Sequence, residues 1–155
     1  MCSTERTFRT RTAELTDQSE IRAVLDAAML AIECDLSESI TSEAVSLRVA
    51  ECDQRVVGVC RITLQRQPPT EWPSETLFER VDAIDEITHI AVRQQFQSGG
   101  IATALVSEIL TDNTAAVGVE FHPQVKPFYQ QLGFDICSLD TSEGVRRCVG
   151  VKSPA

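Results

Sequence analysis

One segment constrains the fold more than any other, because it predicts a buried strand, a glycine-bearing loop and an amphipathic helix in succession. The strand covers residues 86–92, the loop 97–102 with glycines at 99 and 100, and the helix runs to about residue 111. Paired glycines at a helix start let backbone N–H groups approach a ligand closely. Those N–H groups lack intrahelical partners and lie at the positive end of the helix dipole, which is typical of a phosphate-binding loop. A tight turn with no ligand explains the segment equally well.

Apolar periodicity in the rest of the chain predicts further strands and helices. A helix over 18–33 carries an apolar stripe at helical spacing, made by Ile21, Val24, Leu25, Ala28, Met29 and Ile32. Asp17 and Glu20 fit a capping box at its start, and Gly133 fits a C-terminal cap on a later helix. The other predicted elements are a strand (8–13), a link or short helix (35–40), a hairpin (44–51 and 55–64), a loop (65–76), a strand (117–121), a helix (123–132) and two closing strands (134–139 and 145–151).

This order of elements predicts an α/β fold with a mixed, largely antiparallel central sheet flanked by helices. The length of 155 residues suits one domain, over residues 1–155, with a single core. No run approaches the roughly 18 apolar residues that span a bilayer, and the polar first residues have no apolar signal core. We therefore expect a soluble, cytoplasmic protein that does not act in the membrane.

The charge of the chain limits the classes of partner that it is expected to bind. The net charge is −9, and only two of the fourteen basic residues are lysine. Without a basic stripe to neutralise phosphates, nucleic acid is not expected as a partner. The acidic field could favour a cationic amine substrate, although a solvated surface explains it more simply. An acidic surface with arginine in place of lysine would also suit a salt-rich, halophilic cytoplasm.

Six cysteines are spread along the chain without a metal-binding pattern. None forms a C-x-x-C pair or joins a Cys/His cluster, so no metal site is expected. In a cytosolic chain they are expected to be free thiols, with Cys60 and Cys137 behaving as small core residues. A nucleophilic cysteine needs an activating base, and the sequence marks none.

Two short motifs resemble those of a known family. Gln97-x-x-Gly100-x-Ala102 fits the Gln/Arg-x-x-Gly-x-Gly/Ala signature of the GNAT superfamily of acetyl-CoA-dependent N-acetyltransferases. Further along, Phe128-Tyr129-x-x-x-Gly133-Phe134 resembles the second signature of that family. The resemblance covers about residues 8–152. It implies that the strands 86–92 and 117–121 splay apart and that acyl-CoA lies in the resulting cleft.

The resemblance also implies catalytic roles. Glu86 matches the general-base glutamate of the histone-acetyltransferase branch, although a base needs an environment that raises a carboxyl pKa from about 4.3. It could instead merely cap its strand beside Asp82 and Asp85, of which Asp85 points to the opposite sheet face. Tyr129 matches the tyrosine that protonates the CoA thiolate. A tyrosine packed in the core is the alternative.

Cofactor binding is implied to be mostly main-chain, with a backbone N–H, that of Val92, polarising the thioester carbonyl. The loop lacks the basic side chains that the family often has there, and Arg93 is the nearest. His122 is a second-rank candidate beside Gln124, whereas His89 is expected to be a buried, hydrogen-bonded histidine. Trp72 could line the acceptor pocket or pin its loop to the core. The implied cofactor-binding residues are Ile90, Ala91, Val92, Gln97, Ser98, Gly99, Gly100, Ile101, Ala102 and Gln124.

The leading hypothesis is an acetyl-CoA-dependent N-acetyltransferase acting on a primary amine of a small molecule or protein. The alternative is a non-catalytic acyl-CoA-binding regulator with the same fold. A dinucleotide- or nucleotide-binding domain is disfavoured, because neither G-x-G-x-x-G nor G-x-x-x-x-G-K-[ST] occurs. A homodimer through an edge strand is common in the family and is a further expectation.

Overall fold

The computed structural model describes residues 7–30, 35–69, 72, 83–97, 99–112, 115–140 and 146–153. These residues form seven strands and four α-helices, with short 3₁₀ turns between some of them. The strands are β1 (Arg9–Thr12), β2 (Val45–Cys52), β3 (Arg55–Arg66), β4 (Ile84–Val92), β5 (Ala116–Phe121), β6 (Asp135–Asp140) and β7 (Arg146–Lys152). The helices are α1 (Gln18–Ala27), α2 (Leu36–Thr41), α3 (Ile101–Asp112) and α4 (Lys126–Gln131).

All seven strands belong to one mixed sheet, in the order β1-β2-β3-β4-β5-β7-β6. Three pairs of strands are antiparallel, namely β1–β2, β5–β7 and β6–β7, whereas β4 and β5 are parallel. The β4–β5 ladder runs from Ile84 opposite Ala116 to Ile87 opposite Val119, and both strands continue beyond it. The predicted mixed, largely antiparallel sheet with flanking helices is confirmed.

The predicted hairpin is formed by β2 and β3, and its turn is tighter than expected. Asp53 and Gln54 have φ values of 52° and 66°, so both central residues adopt the left-handed conformation of a type I′ turn. Cys52, which the sequence placed in the turn, is the last residue of β2. The twist of this turn matches that of the flanking strands, which fixes the register of the pair.

The chain divides into two compact units, each with its own apolar cluster. The first comprises residues 1–61 and 89–106, and the second residues 62–88 and 107–155. In the first, α1 and α2 pack on strand residues, and the buried cluster contains Ala13, Ile21, Val24, Leu25, Leu36, Leu47, Val49, Val56, Val59 and Ala91. In the second, the cluster contains Trp72, Ile84, Ala116, Leu139, Val149 and Val151.

The predicted capping box at the start of α1 is wrong by one turn. Glu14 and Asp17 form the box at the preceding 3₁₀ turn, and the Asp17 carboxylate is engaged by the Arg11 guanidinium at 2.7 and 2.9 Å. Glu20 instead accepts the backbone N–H of Val56 at 3.1 Å. Arg11, six residues earlier in the chain, therefore engages Asp17 in place of the helix N-terminus, and the capping motif alone does not reveal this contact.

The first helix is also shorter than predicted. α1 ends at Ala27, and Met29 has φ of 59° with its side chain 91% exposed. A left-handed residue just past a helix terminates it, so Ala28 and Met29 do not extend the buried stripe. Ile32 lies outside the described residues. The segment left open as a link or short helix is α2, capped by the Asp35 side chain, which accepts the N–H of Ser37.

Candidate active site

The glycine loop leads directly into α3. Gly100 has φ of 86°, in the left-handed region that favours glycine, and a Cβ built there would meet nothing within 4 Å. Gly99 and Gly100 are exposed, so their backbone faces open space. Ile101 is the first residue of α3, a 12-residue helix, whose N-terminal N–H groups can receive an anion. Ser98 lies outside the described residues.

A glycine in β3 holds the start of α3 in place, and sequence reasoning missed it. A Cβ on Gly58 would lie 2.9 Å from Cγ2 of Ile101 and 3.5 Å from the carbonyl oxygen of Ala91. Only a residue without a side chain allows Ile101, itself buried, to pack this closely on the strand. A glycine inside an apolar strand is the signal that could have revealed this close approach.

The end of β4 is linked to the glycine loop by a side chain. Gln97 donates from Nε2 to the backbone carbonyl of Val92 at 3.1 Å. Ala91 is buried, whereas Ile90 and Val92 are half-buried. Arg93, the nearest basic residue, donates from Nε to the carbonyl of Val56 at 3.3 Å, so its guanidinium is already engaged with β3.

Glu86 forms an ion pair that the sequence did not predict. Nη1 of Arg66 lies 3.1 Å from Oε1 of Glu86, and the two side chains are 48% and 14% exposed. The neighbouring Asp85 is buried, and its Oδ1 accepts the backbone N–H of Gln65 at 2.8 Å. Adjacent strand residues point to opposite faces, so Asp85 and Glu86 serve different contacts, as expected.

Tyr129 packs among three phenylalanines. Its ring stacks on Phe121 with centroids 4.4 Å apart and meets Phe128 and Phe134 edge-on at 4.9 and 5.3 Å. The residue is 2% exposed. Edge-to-face and stacked contacts orient an aromatic ring as well as bury it, so the phenol is held in a single direction.

The two second-rank candidates form a local turn. His122 and Gln124 are both exposed, and Nδ1 of His122 accepts the backbone N–H of Gln124 at 3.1 Å. Because Nδ1 is an acceptor, the imidazole proton of the neutral ring lies on Nε2. His122 thus caps the 3₁₀ turn that leads into α4. His89 on β4 is half-buried and partnered.

Trp72 is packed into the second unit. It is 4% exposed, and its Nε1 donates to Oε1 of Glu120 at 3.0 Å. A Cβ on Gly118 would lie 2.8 Å from the indole ring, so the ring packs directly on β5 where that strand has no side chain. Arg147 completes the arrangement by donating to the other oxygen of Glu120 at 3.1 Å. Of the two roles left open for Trp72, this packing favours pinning its loop to the core.

Burial makes two of the described thiols poor nucleophiles. Complete burial raises the pKa of Cys60 to about 12, and burial also raises the pKa of Cys137. A thiol is reactive only as the thiolate, so both are inert near neutral pH. Cys60 is a small core residue, as predicted, and Cys137 is half-buried against the second apolar cluster.

The candidate residues fall in both compact units. Ile90, Ala91, Val92 and the described part of the loop 97–102 lie in the first unit, whereas Glu86, Gln124 and Tyr129 lie in the second. Within the first unit, β4 and the loop are joined through Gln97. Within the second, Glu86 contacts Arg66, and Tyr129 lies in its aromatic cluster.

Comparison with known families shows which family has this fold and these motifs. The family model described as the acetyltransferase (GNAT) domain matches residues 13–148. The chain belongs to the GNAT acetyltransferase family. Comparison with curated protein sequences gives no match.

Solved GNAT structures share the fold at low sequence identity. NAA60 from Arabidopsis thaliana, in complex with acetyl-CoA, has a TM-score of 0.75 at 13% identity, covering 95% of this chain and 98% of that one. The ribosomal-protein-S18-alanine N-acetyltransferase from Escherichia coli has a TM-score of 0.69 at 13% identity, covering 96% and 95%. A GNAT-family acetyltransferase from Streptococcus pneumoniae has a TM-score of 0.68 at 14% identity, covering 96% and 100%.

No described helix is both long and apolar enough to cross a membrane. Within the same part of the chain, no three His, Cys, Asp or Glu side chains come together in a way that could hold a metal ion.

Proposed function

We propose that the protein is an acetyl-CoA-dependent N-acetyltransferase that moves the acetyl group to a primary amine by direct attack on the thioester. The observation that carries this proposal is the left-handed Gly100 at the start of α3 in a chain of the GNAT family. Exposed backbone N–H groups at a helix N-terminus suit the pyrophosphate of CoA. The complex of the similar NAA60 with acetyl-CoA supports the choice of cosubstrate.

In this proposal, the backbone of the first unit binds the cosubstrate. Ile90, Ala91 and Val92 pair with the pantetheine amides as an added strand, and the N–H of Val92 stabilises the developing oxyanion. The pyrophosphate is held by the glycine loop, which consists of Gln97, Ser98, Gly99, Gly100, Ile101 and Ala102. Gln124 makes a further contact with the cosubstrate. The Gln97 bond to the carbonyl of Val92 keeps the loop and the strand end in one arrangement.

Glu86 and Tyr129 then handle the protons. Glu86 takes a proton from the acceptor ammonium, although the Arg66 guanidinium at 3.1 Å favours the ionised carboxylate and so makes it a weaker base. The neutral amine then forms a bond to the thioester carbon. The carbon–sulfur bond breaks, and Tyr129 donates its phenolic proton to the departing thiolate. The second proton of the attacking nitrogen passes through water to the Tyr129 phenolate, and Glu86 releases its proton to the solvent, so the products are the amide, free CoA and one proton. The acceptor is a small molecule or a protein, and we propose a cytoplasmic enzyme.

The test is turnover of acetyl-CoA with a panel of amines and peptides, read as free thiol released. A blank without acetyl-CoA corrects for the protein thiols. Glu86→Gln should lower kcat about 100-fold or more if Glu86 is the base, while acetyl-CoA binding by calorimetry should persist. Binding of acetyl-CoA without turnover on any acceptor would favour the non-catalytic regulator. Absence of binding would refute the proposal.

A further inference from the structure

The ion pair at Glu86 presents a cation beside the proposed base. Nη1 of Arg66 contacts Oε1 of Glu86 at 3.1 Å. Within the described part of the chain, no second partner engages this guanidinium. A guanidinium has five N–H donors in a fixed fork, so its Nε and Nη2 edge is available to another group. Because the arginine side chain is 48% exposed, that edge is within reach of a small ligand.

A strained backbone leads into Arg66. Gln65 has φ of 49°, which is unfavourable for a residue with a side chain. The buried Asp85 holds this conformation, since its carboxylate accepts the N–H of Gln65 at 2.8 Å. The Asp85 hydrogen bond thus stabilises the left-handed backbone that immediately precedes Arg66.

The charges select a particular kind of ligand. A lone carboxylate at Glu86 would favour any cation, but the Arg66–Glu86 pair has no net charge and offers one group of each sign. The complementary ligand carries an ammonium and a carboxylate on a short carbon chain. Carboxylates bind the two N–H groups on one edge of a guanidinium in a bidentate manner.

We propose that Arg66 is a specificity-determining residue that binds the carboxylate of an amino-acid acceptor whose amine lies against Glu86. This inference rests on the proposed function, since it names the acceptor of the same site. The acceptor ammonium gives its proton to Glu86 and attacks as the neutral amine. The Arg66 guanidinium stays protonated throughout and takes no part in the transfer.

Matched acceptors that differ in one carboxylate test this proposal. Leucine with isopentylamine, and lysine with cadaverine, form two such pairs. We expect Arg66→Gln to lower the ratio of kcat/KM within each pair by about tenfold or more. The amino acid and its matched amine differ in basicity, but this difference is the same for wild type and variant. It therefore cancels when the ratio is compared between the two enzymes. Arg66→Lys keeps the charge without the fork and should retain part of the preference.

Arg55→Gln is the control, because it removes an exposed arginine from the other end of β3 and should leave the ratio unchanged. An unchanged ratio in Arg66→Gln would overturn the inference. So would a rise in the KM for acetyl-CoA that is equal for all acceptors, since Arg66 would then hold the cofactor.

Ligand-observed NMR with CoA present separates the two proposals. Binding of leucine over isopentylamine that depends on Arg66, without turnover, would refute the proposed enzyme, and with it leucine as an acceptor, and would leave Arg66 as a carboxylate-binding residue only. Turnover of amines with no preference for a carboxylate would support the enzyme and refute the inference. Absence of any binding and turnover would refute both.

Discussion

At the scale of single residues, the core packing of Tyr129 and its proposed catalytic role are compatible, although the sequence treated them as alternatives. The ring is buried among Phe121, Phe128 and Phe134, which is the packing of a core tyrosine. An acid must also be held in a fixed direction, and aromatic packing does this at little entropic cost. Burial of the ring is therefore compatible with a catalytic hydroxyl.

Tyr129→Phe separates these roles, because it removes the hydroxyl and keeps the ring. We expect kcat to fall by about 100-fold or more, because the CoA thiolate then leaves without its proton donor. The unfolding temperature should change little, since the aromatic contacts remain. Steady-state kinetics and thermal melts measure both effects. A variant with wild-type kcat would assign Tyr129 to the core alone.

The charge of Asp17 is expected to contribute to stability in acid. The hydrogen bonds from Arg11 hold its pKa below the ordinary value of 3.8. A carboxyl with a depressed folded-state pKa stabilises the fold above its unfolded-state pKa, and this stability is lost as pH falls through the folded-state value. We expect Asp17→Asn to lower the free energy of unfolding at pH 7 by about 2 kcal/mol.

The pH dependence distinguishes this ion pair from ordinary packing. Below about pH 4, the difference between wild type and Asp17→Asn should shrink, because the wild-type carboxyl becomes protonated as well. Urea unfolding from pH 7 to pH 2.5 measures it. Asp26→Asn, which changes an exposed carboxylate on α1, is the control. A difference that stays constant with pH would contradict the role of the Asp17 charge.

At the scale of elements, the apolar periodicity and the glycine positions of the sequence predicted most of the fold. Strand and helix order, the hairpin and the left-handed caps at Gly100 and Gly133 follow local rules of sequence. The end of α1, the partner of Asp17 and the ion pair of Glu86 were not predicted. Arg66 and Glu86 lie on different strands, and Arg11 reaches Asp17 from β1, so neither the strand pattern nor the capping motif encodes these contacts. The end of α1 follows the left-handed Met29, which the apolar stripe does not mark.

The adjacent loop glycines allow a matched pair of substitutions. Gly100 has φ of 86° and open space around its Cβ position, whereas Gly99 has no positive φ and would place a Cβ 3.4 Å from the carbonyl oxygen of Phe96. We expect Gly100→Ala to cost about 1–2 kcal/mol from left-handed backbone strain, and to weaken acetyl-CoA binding as the loop shifts. Gly99→Ala should cost less in stability.

Calorimetric titration with acetyl-CoA and urea unfolding measure the two variants. If both substitutions proved equally mild in stability and binding, the left-handed turn would not be what shapes the loop. If Gly99→Ala alone abolished binding, close approach of a ligand to Gly99 would be the controlling feature.

At the scale of the whole molecule, the path of the chain argues for a single cooperative domain. The chain passes from one compact unit to the other three times, within β3, β4 and α3. Each of these elements has its first part in one unit and its remainder in the other. Neither unit therefore consists of one continuous segment with complete elements, which is the usual condition for folding alone.

We accordingly expect one unfolding transition in differential scanning calorimetry, in line with the predicted single domain. For 155 residues, the calorimetric enthalpy near 60 °C should be about 100 kcal/mol, equal to the van't Hoff enthalpy. Acetyl-CoA should move the whole transition to higher temperature. The experiment belongs in buffered salt of about 0.15 M or more, because the net charge of −9 adds self-repulsion that salt screens. Two transitions, of which acetyl-CoA shifts only one, would show that the units unfold independently and that the cosubstrate binds to one of them alone.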